Sequence, residues 1–186
     1  MTAETFMCEV VRALDAERVP YMIVGSLSSN MYGIPRSTKD ADFVVEIEAA
    51  AADKLAIRLA PQFKFDPQLS FETVTGTLRY QIRHVTTAFV IELFLLSSDA
   101  HDQERFRRRR RAQYLDQDIF VATAEDVVIT KLRWAKGGKR TKDVDDVRNV
   151  IALQQGILDW TYIQQWCDQH GTRELLERVR LEAQQS

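Results

Sequence analysis

Asp40 and Asp42 stand two residues apart, immediately ahead of the apolar run Phe43-Val44-Val45. On an extended strand that spacing turns both side chains to the same side. Two adjacent carboxylates repel one another unless a cation lies between them, and magnesium, which takes one or two carboxylates together with substrate phosphates, suits such a pair. Upstream, another apolar run, Tyr21-Met22-Ile23-Val24, stops abruptly at Gly25-Ser26. Gly25 lets the backbone approach a ligand closely. Ser26 supplies a hydroxyl, and the N–H groups that open a helix after it favour an anion such as a phosphate. Gly-Ser or D-x-D alone occurs by chance in many loops; in this order, flanked by strands, the two together point to phosphate chemistry.

Further along are two more candidates. Glu92 is the one acid in Ala88–Leu96 (AFVIELFLL). Burying it there is costly unless it is paired or ligates a metal; the alternative is a place on the open face of an edge strand. Lys131 lies in DVVITKLRWAK, followed by Asp143 and Asp146 in KDVDDVRNV. A lysine there can act as a mobile point charge on a triphosphate, or simply snorkel from a helix surface. Asp143 suits a helix N-terminus in its own right.

The wording VGSLSSNMYGIPRSTKDADFVV resembles the signature of the DNA polymerase β-type nucleotidyltransferase superfamily, and in particular the small bacterial branch of AbiEii-like toxins and minimal nucleotidyltransferases. More faintly, the resemblance extends to about residue 155. It implies an NTP substrate whose NMP passes to a hydroxyl of tRNA or protein. Asp40, Asp42 and Glu92 would hold two Mg²⁺ ions, although the family usually has Asp where this chain has Glu92. Gly25 and Ser26 would cradle the β- and γ-phosphates, and Arg36 and Thr38 would line the nucleotide pocket. Lys131 would neutralise pyrophosphate, with Asp146 or Asp143 orienting it. A toxin of a toxin–antitoxin or phage-defence pair, with an antitoxin partner, is the biology the resemblance suggests. Two readings from other classes remain: a non-catalytic regulatory protein on the same fold, and an RNA-binding module working through Arg105–Arg111, six arginines in seven residues.

Around these residues the chain must supply strands and helices. Phe6, Val10, Val11 and Leu14 recur at helical spacing, which predicts an amphipathic helix over 3–18, ended by Pro20. Strands follow at 21–24 and 40–45, with a short helix near Ser28–Tyr32 between them, broken by Gly33 and Pro35. Alanine-rich 48–59 reads as a helix, 63–67 as a loop or edge strand, and Ser70–Thr75 as a helical turn capped by Ser70. Leu78–Val85 and Ala88–Leu96 form a hairpin about Thr86-Thr87. Asp99 or Ser98 caps a helix running into the arginines, 115–122 is extended, and helices follow at 125–135, 141–154, 160–170 and 173–183. The expectation is an α+β fold: a nucleotidyltransferase-like core over 1–122 with a mixed sheet of about four or five strands, and a helical part over 123–186.

With 186 residues and a formal net charge of −2, no global basic field marks the chain as a nucleic-acid binder. Cys8 and Cys167 are far apart, and His84, His101 and His170 show no zinc spacing. No leader pattern or membrane-length apolar run is present, so a cytoplasmic setting is expected.

Overall fold

The computed structural model describes residues 3–73, 76–138 and 140–184. In chain order the elements are α1 (Ala3–Ala16), β1 (Tyr21–Val24), α2 (Gly25–Tyr32), β2 (Asp40–Val45), α3 (Ala49–Leu59), β3 (Phe63–Glu72), β4 (Thr77–His84), β5 (Val90–Leu95), α4 (Ala100–Arg108), β6 (Arg110–Tyr114), β7 (Gln117–Val121), α5 (Ala124–Ala135), α6 (Thr141–Gln154), α7 (Trp160–His170) and α8 (Arg173–Gln184). They divide into two compact units, Met1–Gly25 with Ser37–Val121, and Ser26–Arg36 with Ala122–Ser186.

The first unit holds a seven-stranded mixed sheet in the order β3-β4-β5-β2-β1-β7-β6. β2 runs parallel to β5, and β1 antiparallel to β2. Alternation divides the side chains of β2 to β5 between two faces. One carries Ala41, Phe43, Val45, Ile82, Ile91 and Leu93, all essentially sealed from water. α1 packs on this side: Phe6 stacks on His84 with ring centres 3.8 Å apart and meets Phe63 edge-on at 6.0 Å. The opposite face of the same strands carries Asp40, Asp42, Glu92, Gln81, Arg79 and Arg83, none of them buried.

The second unit is helical. α5 begins at an N-cap where Thr123 Oγ1 accepts from the Asp126 amide at 3.2 Å. α7 ends at Gly171, which sits in the left-handed conformation at φ 64°, the usual device for closing a helix C-terminus. The unit also takes in Ser26–Arg36: Gly33 sits where an added Cβ would lie 3.3 Å from both Asn149 and Val150 of α6, and Gln154 donates to the Tyr32 carbonyl at 3.0 Å.

Several expectations change. Among the described residues the sheet has seven strands rather than four or five. β3 continues to Glu72, so Ser70 lies in a strand opposite Arg79 instead of capping a helical turn; Thr75, the end of that expected turn, lies outside the described residues. A break in the β3–β4 register between Asp66 and Ser70 spoils the alternation that reveals a strand. The arginine run does not stay helical either. α4 stops at Arg108, and Arg110 and Arg111 belong to β6. No described helix is long and apolar enough to cross a membrane.

Candidate active site

In the first unit, Asp42 lies directly opposite Glu92 on the neighbouring parallel strand, and Asp40 opposite Val90. Residues paired in this way share a face, so the three acids predicted from sequence stand on the open face of the sheet. Asp40 is exposed, and Asp42 and Glu92 are half-buried. The Thr38 hydroxyl donates to Asp40 Oδ1. Gly25 follows β1 and has φ 65°, and a Cβ built on it would overlap Asp42 Oδ2. Any other residue at position 25 would therefore push against the Asp42 carboxylate, as well as being strained in that conformation.

Glu92 is held from β4. Arg79 Nη1 donates to its Oε2 at 2.9 Å and Gln81 Nε2 to its Oε1 at 2.9 Å. Neither residue was singled out from sequence. The signal was present, because a hairpin centred on Thr86-Thr87 sets Gln81 directly opposite Glu92, the register observed.

A hard divalent cation fits part of this arrangement. Asp40 and Asp42 offer oxygen donors from one face of one strand, and the missing side chain at Gly25 leaves the Asp42 carboxylate its place. Glu92 has both oxygens engaged by its neighbours. Among the described residues no group of three His, Cys, Asp or Glu is gathered closely enough to form a ready-made ion site.

In the second unit the remaining predicted residues form a charge network. Lys131 is 3 % exposed and its Nζ lies 2.9 Å from Asp143 Oδ1 and 2.8 Å from Asp146 Oδ2. Both aspartates thus hold the lysine. Arg36 faces Asp146 with two parallel bonds, Nε to Oδ1 at 3.0 Å and Nη2 to Oδ2 at 3.0 Å, and its Nη2 also donates to Ser26 Oγ at 2.8 Å. Such a fork is the strongest form of guanidinium–carboxylate pairing. Burial by itself would raise the Asp146 carboxyl, but hydrogen bonds and charge from Arg36 and Lys131 outweigh it and hold the group below the ordinary aspartate value. Asn30, unmarked in the sequence, fixes Arg36 by accepting from its amide at 3.1 Å and donating to its carbonyl at 2.7 Å. The network places Ser26, Arg36, Lys131, Asp143 and Asp146 together.

The arginine run finds local partners. Arg105 pairs with Asp102 at 2.9 Å, Arg107 pairs with Glu104, and Arg111 pairs with Asp118. Arg109 lies over the ring of Phe106 at 4.3 Å.

No family model matches the sequence, and no curated protein does. Solved structures do match. A solution structure of the antibiotic-resistance factor ANT(2″)-Ia superposes with TM-score 0.64 at 10 % identity, over 96 % of this chain and 96 % of that one. The fold is that of a nucleotidyltransferase. A crystal structure of ANT(2″)-Ia in complex with adenylyl-2″-tobramycin gives TM-score 0.65 at 12 % identity, over 94 % of this chain and 99 % of that one. An antigenic nucleotidyltransferase-like protein from Paracoccidioides brasiliensis gives 0.55 at 17 % identity, over 96 % and 91 % respectively. The nucleotidyltransferase fold accounts for the mixed sheet and for the helices that follow it.

Proposed function

We propose that this protein is a nucleotidyltransferase that moves a nucleoside monophosphate from an NTP to an acceptor hydroxyl. The observation that carries the reading is the pairing of Asp42 with Glu92 on adjacent strands, Asp40 on the same open face, and a side-chain-less Gly25 against Asp42. In the reaction an acceptor oxygen forms a bond to the α-phosphorus while the bond from that phosphorus to the β-phosphate bridging oxygen breaks. Pyrophosphate leaves, and a face carboxylate takes the acceptor's proton.

Asp40 and Asp42 would hold Mg²⁺, with Glu92 joining them as the third ligand once Arg79 and Gln81 release it. Bound there, magnesium would polarise the phosphoryl group and offset charge on the attacking and leaving oxygens. The chain's own contribution is positional. Gly25 keeps the backbone close to the phosphates, Thr38 orients Asp40, and Arg36 holds the Ser26 hydroxyl in place from Asp146. Lys131 holds Asp146 in turn, a positioning role consistent with its burial.

The acceptor is proposed as a hydroxyl of RNA, protein or a small molecule. ANT(2″)-Ia, seen with adenylylated tobramycin, makes an aminoglycoside one candidate to be tried. A toxin role with a cognate antitoxin rests on the AbiEii resemblance. Incubation with each α-³²P-labelled NTP, Mg²⁺ and a panel of tRNA, total protein and aminoglycosides tests the activity. Transfer of label that disappears in Asp42→Asn is expected; no transfer to any acceptor, with no binding of NTP, would refute it.

A further inference from the structure

The sheet order fixes which side of the carboxylates faces which part of the substrate. Gly25 follows β1, on one side of β2, whereas β5, β4 and β3 extend away on the other. In-line displacement keeps the attacking and leaving oxygens on opposite sides of the phosphorus. With the triphosphate at the Gly25 end and the line of displacement running across the strands, the acceptor lies on the β4 and β3 side. This step rests on the function proposed above.

One row of β3 and β4 there is cationic. Lys64 lies directly opposite Arg83, and Arg83 in turn lies opposite Val90, which is paired with Asp40. All four positions share the open face, since their neighbours Phe63, His84 and Ile91 turn to the buried one. Adjacent strands are about 4.8 Å apart, so the row sets Arg83 about 10 Å and Lys64 about 14 Å from the Asp40 backbone. Like charges directly opposite one another destabilise a strand pair unless something neutralises them. Both residues are exposed, and among the described residues neither forms an ion pair. Arg83 donates to the Gln81 side chain at 3.1 Å. The face has its own acids, Asp66 and Glu72, but they stand in other rows, opposite Gln81 and Thr77. The arginines 105, 107 and 111, by contrast, are already matched by local acids.

We infer that Lys64 and Arg83 form a subsite for a phosphate of the acceptor, so that the acceptor is a phosphate-bearing molecule carrying the reactive hydroxyl rather than a polyamine. A polycation laid over this row would meet two unmatched positive charges. A phosphate would remove their mutual repulsion and hold the hydroxyl toward the carboxylates. The phosphate has two sources, a single-stranded RNA end or a small phosphorylated sugar.

The test is a binding titration on the full chain with Mg²⁺ and a non-hydrolysable NTP. The probe is a fluorescein-labelled single-stranded RNA, with ribose 5-phosphate and tobramycin as competitors. Lys64→Glu/Arg83→Glu is expected to weaken RNA binding about tenfold or more and to lower the slope against log salt by about one to two. Lys54→Glu, the same charge change made singly on α3, is expected to change it little, and Lys64→Glu alone should exceed it clearly. Displacement by millimolar ribose 5-phosphate assigns the subsite to a small phosphorylated acceptor; retention of RNA under the same conditions assigns it to the strand. If neither phosphate probe binds, if the double variant binds as the wild type does, or if tobramycin binds in their place, the inference is overturned. A fluorescent ATP analogue titrated in parallel separates the failures: its binding with no phosphate-acceptor binding sinks the subsite alone, whereas no ATP binding sinks the nucleotidyl-transfer reading itself.

Discussion

Two sets of charged residues in this chain have opposite characters. On the sheet, Asp40, Asp42 and Glu92 stand on one open face, where Arg79 pairs with Glu92. In the helical unit, Lys131, Asp143, Asp146, Arg36 and Arg140 close on one another, and the lysine and both aspartates are almost fully buried. Buried charges survive only when they are paired and hydrogen-bonded. The acids on the sheet avoid that cost by staying near water, and in return keep electrostatic capacity for a ligand. The helical network has little left to give to anything but its own neighbours. The two sets therefore should respond differently to mutation: one through binding and chemistry, the other through stability.

The sharpest test of the contrast is to break the buried set. Lys131→Met leaves two buried aspartates without their lysine and is expected to cost about 3–5 kcal/mol in urea unfolding. The double variant Lys131→Met/Asp146→Asn should cost less than the sum of the two single changes, because the two groups interact directly. On the sheet, Asp42→Asn is expected to lose about 3–4 kcal/mol of transition-state stabilisation, about 10²–10³-fold in label transfer, while the unfolding free energy from urea stays within about 1 kcal/mol of wild type. Equal stability losses from both variants would erase the distinction.

A smaller effect is carried by pH. Asp146 titrates below the ordinary aspartate value because Arg36 and Lys131 outweigh its burial. The folded state therefore binds that proton less readily than the unfolded chain does, and stability from this group is complete above the unfolded value near 4. It is lost as pH falls through the lower folded value. The stability gap between wild type and Asp146→Asn should accordingly be widest above about pH 5 and narrow steadily toward pH 2, as read by unfolding midpoints. A gap that widens on acidification would mean that the network does not hold Asp146 ionised. On the sheet, Arg79→Met removes a positive charge beside the acids and frees Glu92 Oε2, leaving Gln81 on Oε1. Manganese binding, followed by paramagnetic resonance, should tighten about fivefold, corresponding to about 1 kcal/mol of Coulomb energy at this separation.

The parts legible in the sequence were those set by short-range rules. Gly25-Ser26 after an apolar run, the D-x-D spacing and the hairpin about Thr86-Thr87 each follow from local geometry, and the strands and helices they imply are present. β3 was not legible beyond its first residues, because the irregularity between Asp66 and Ser70 hides its alternation. The passage of Ser26–Arg36 into the helical unit was not legible either. It depends on pairings such as Arg36 with Asp146, 110 positions apart, which no window of sequence contains. Lys131 drew attention as a lysine in a helix, but its burial became visible only with Asp143 and Asp146 around it.

The arginine run supplies the finest discrimination. By composition it is the most basic stretch of the chain, yet in the structure it is a series of short, mostly exposed pairs. Arg107 is 74 % exposed beside Glu104, and Arg111 is 70 % exposed beside Asp118. Pairs so open to solvent are screened and contribute little. Arg107→Gln/Arg111→Gln should shift the unfolding free energy by less than about 0.5 kcal/mol. RNA binding should fall by a small factor, well short of the loss on reversing Lys64 and Arg83, since each of these two arginines already has an acid to satisfy it. A larger loss from the arginine pair would move the polyanion contact to α4 and β6, and would make charge density along the sequence, rather than unmatched charge on a face, the better guide to this protein's partners.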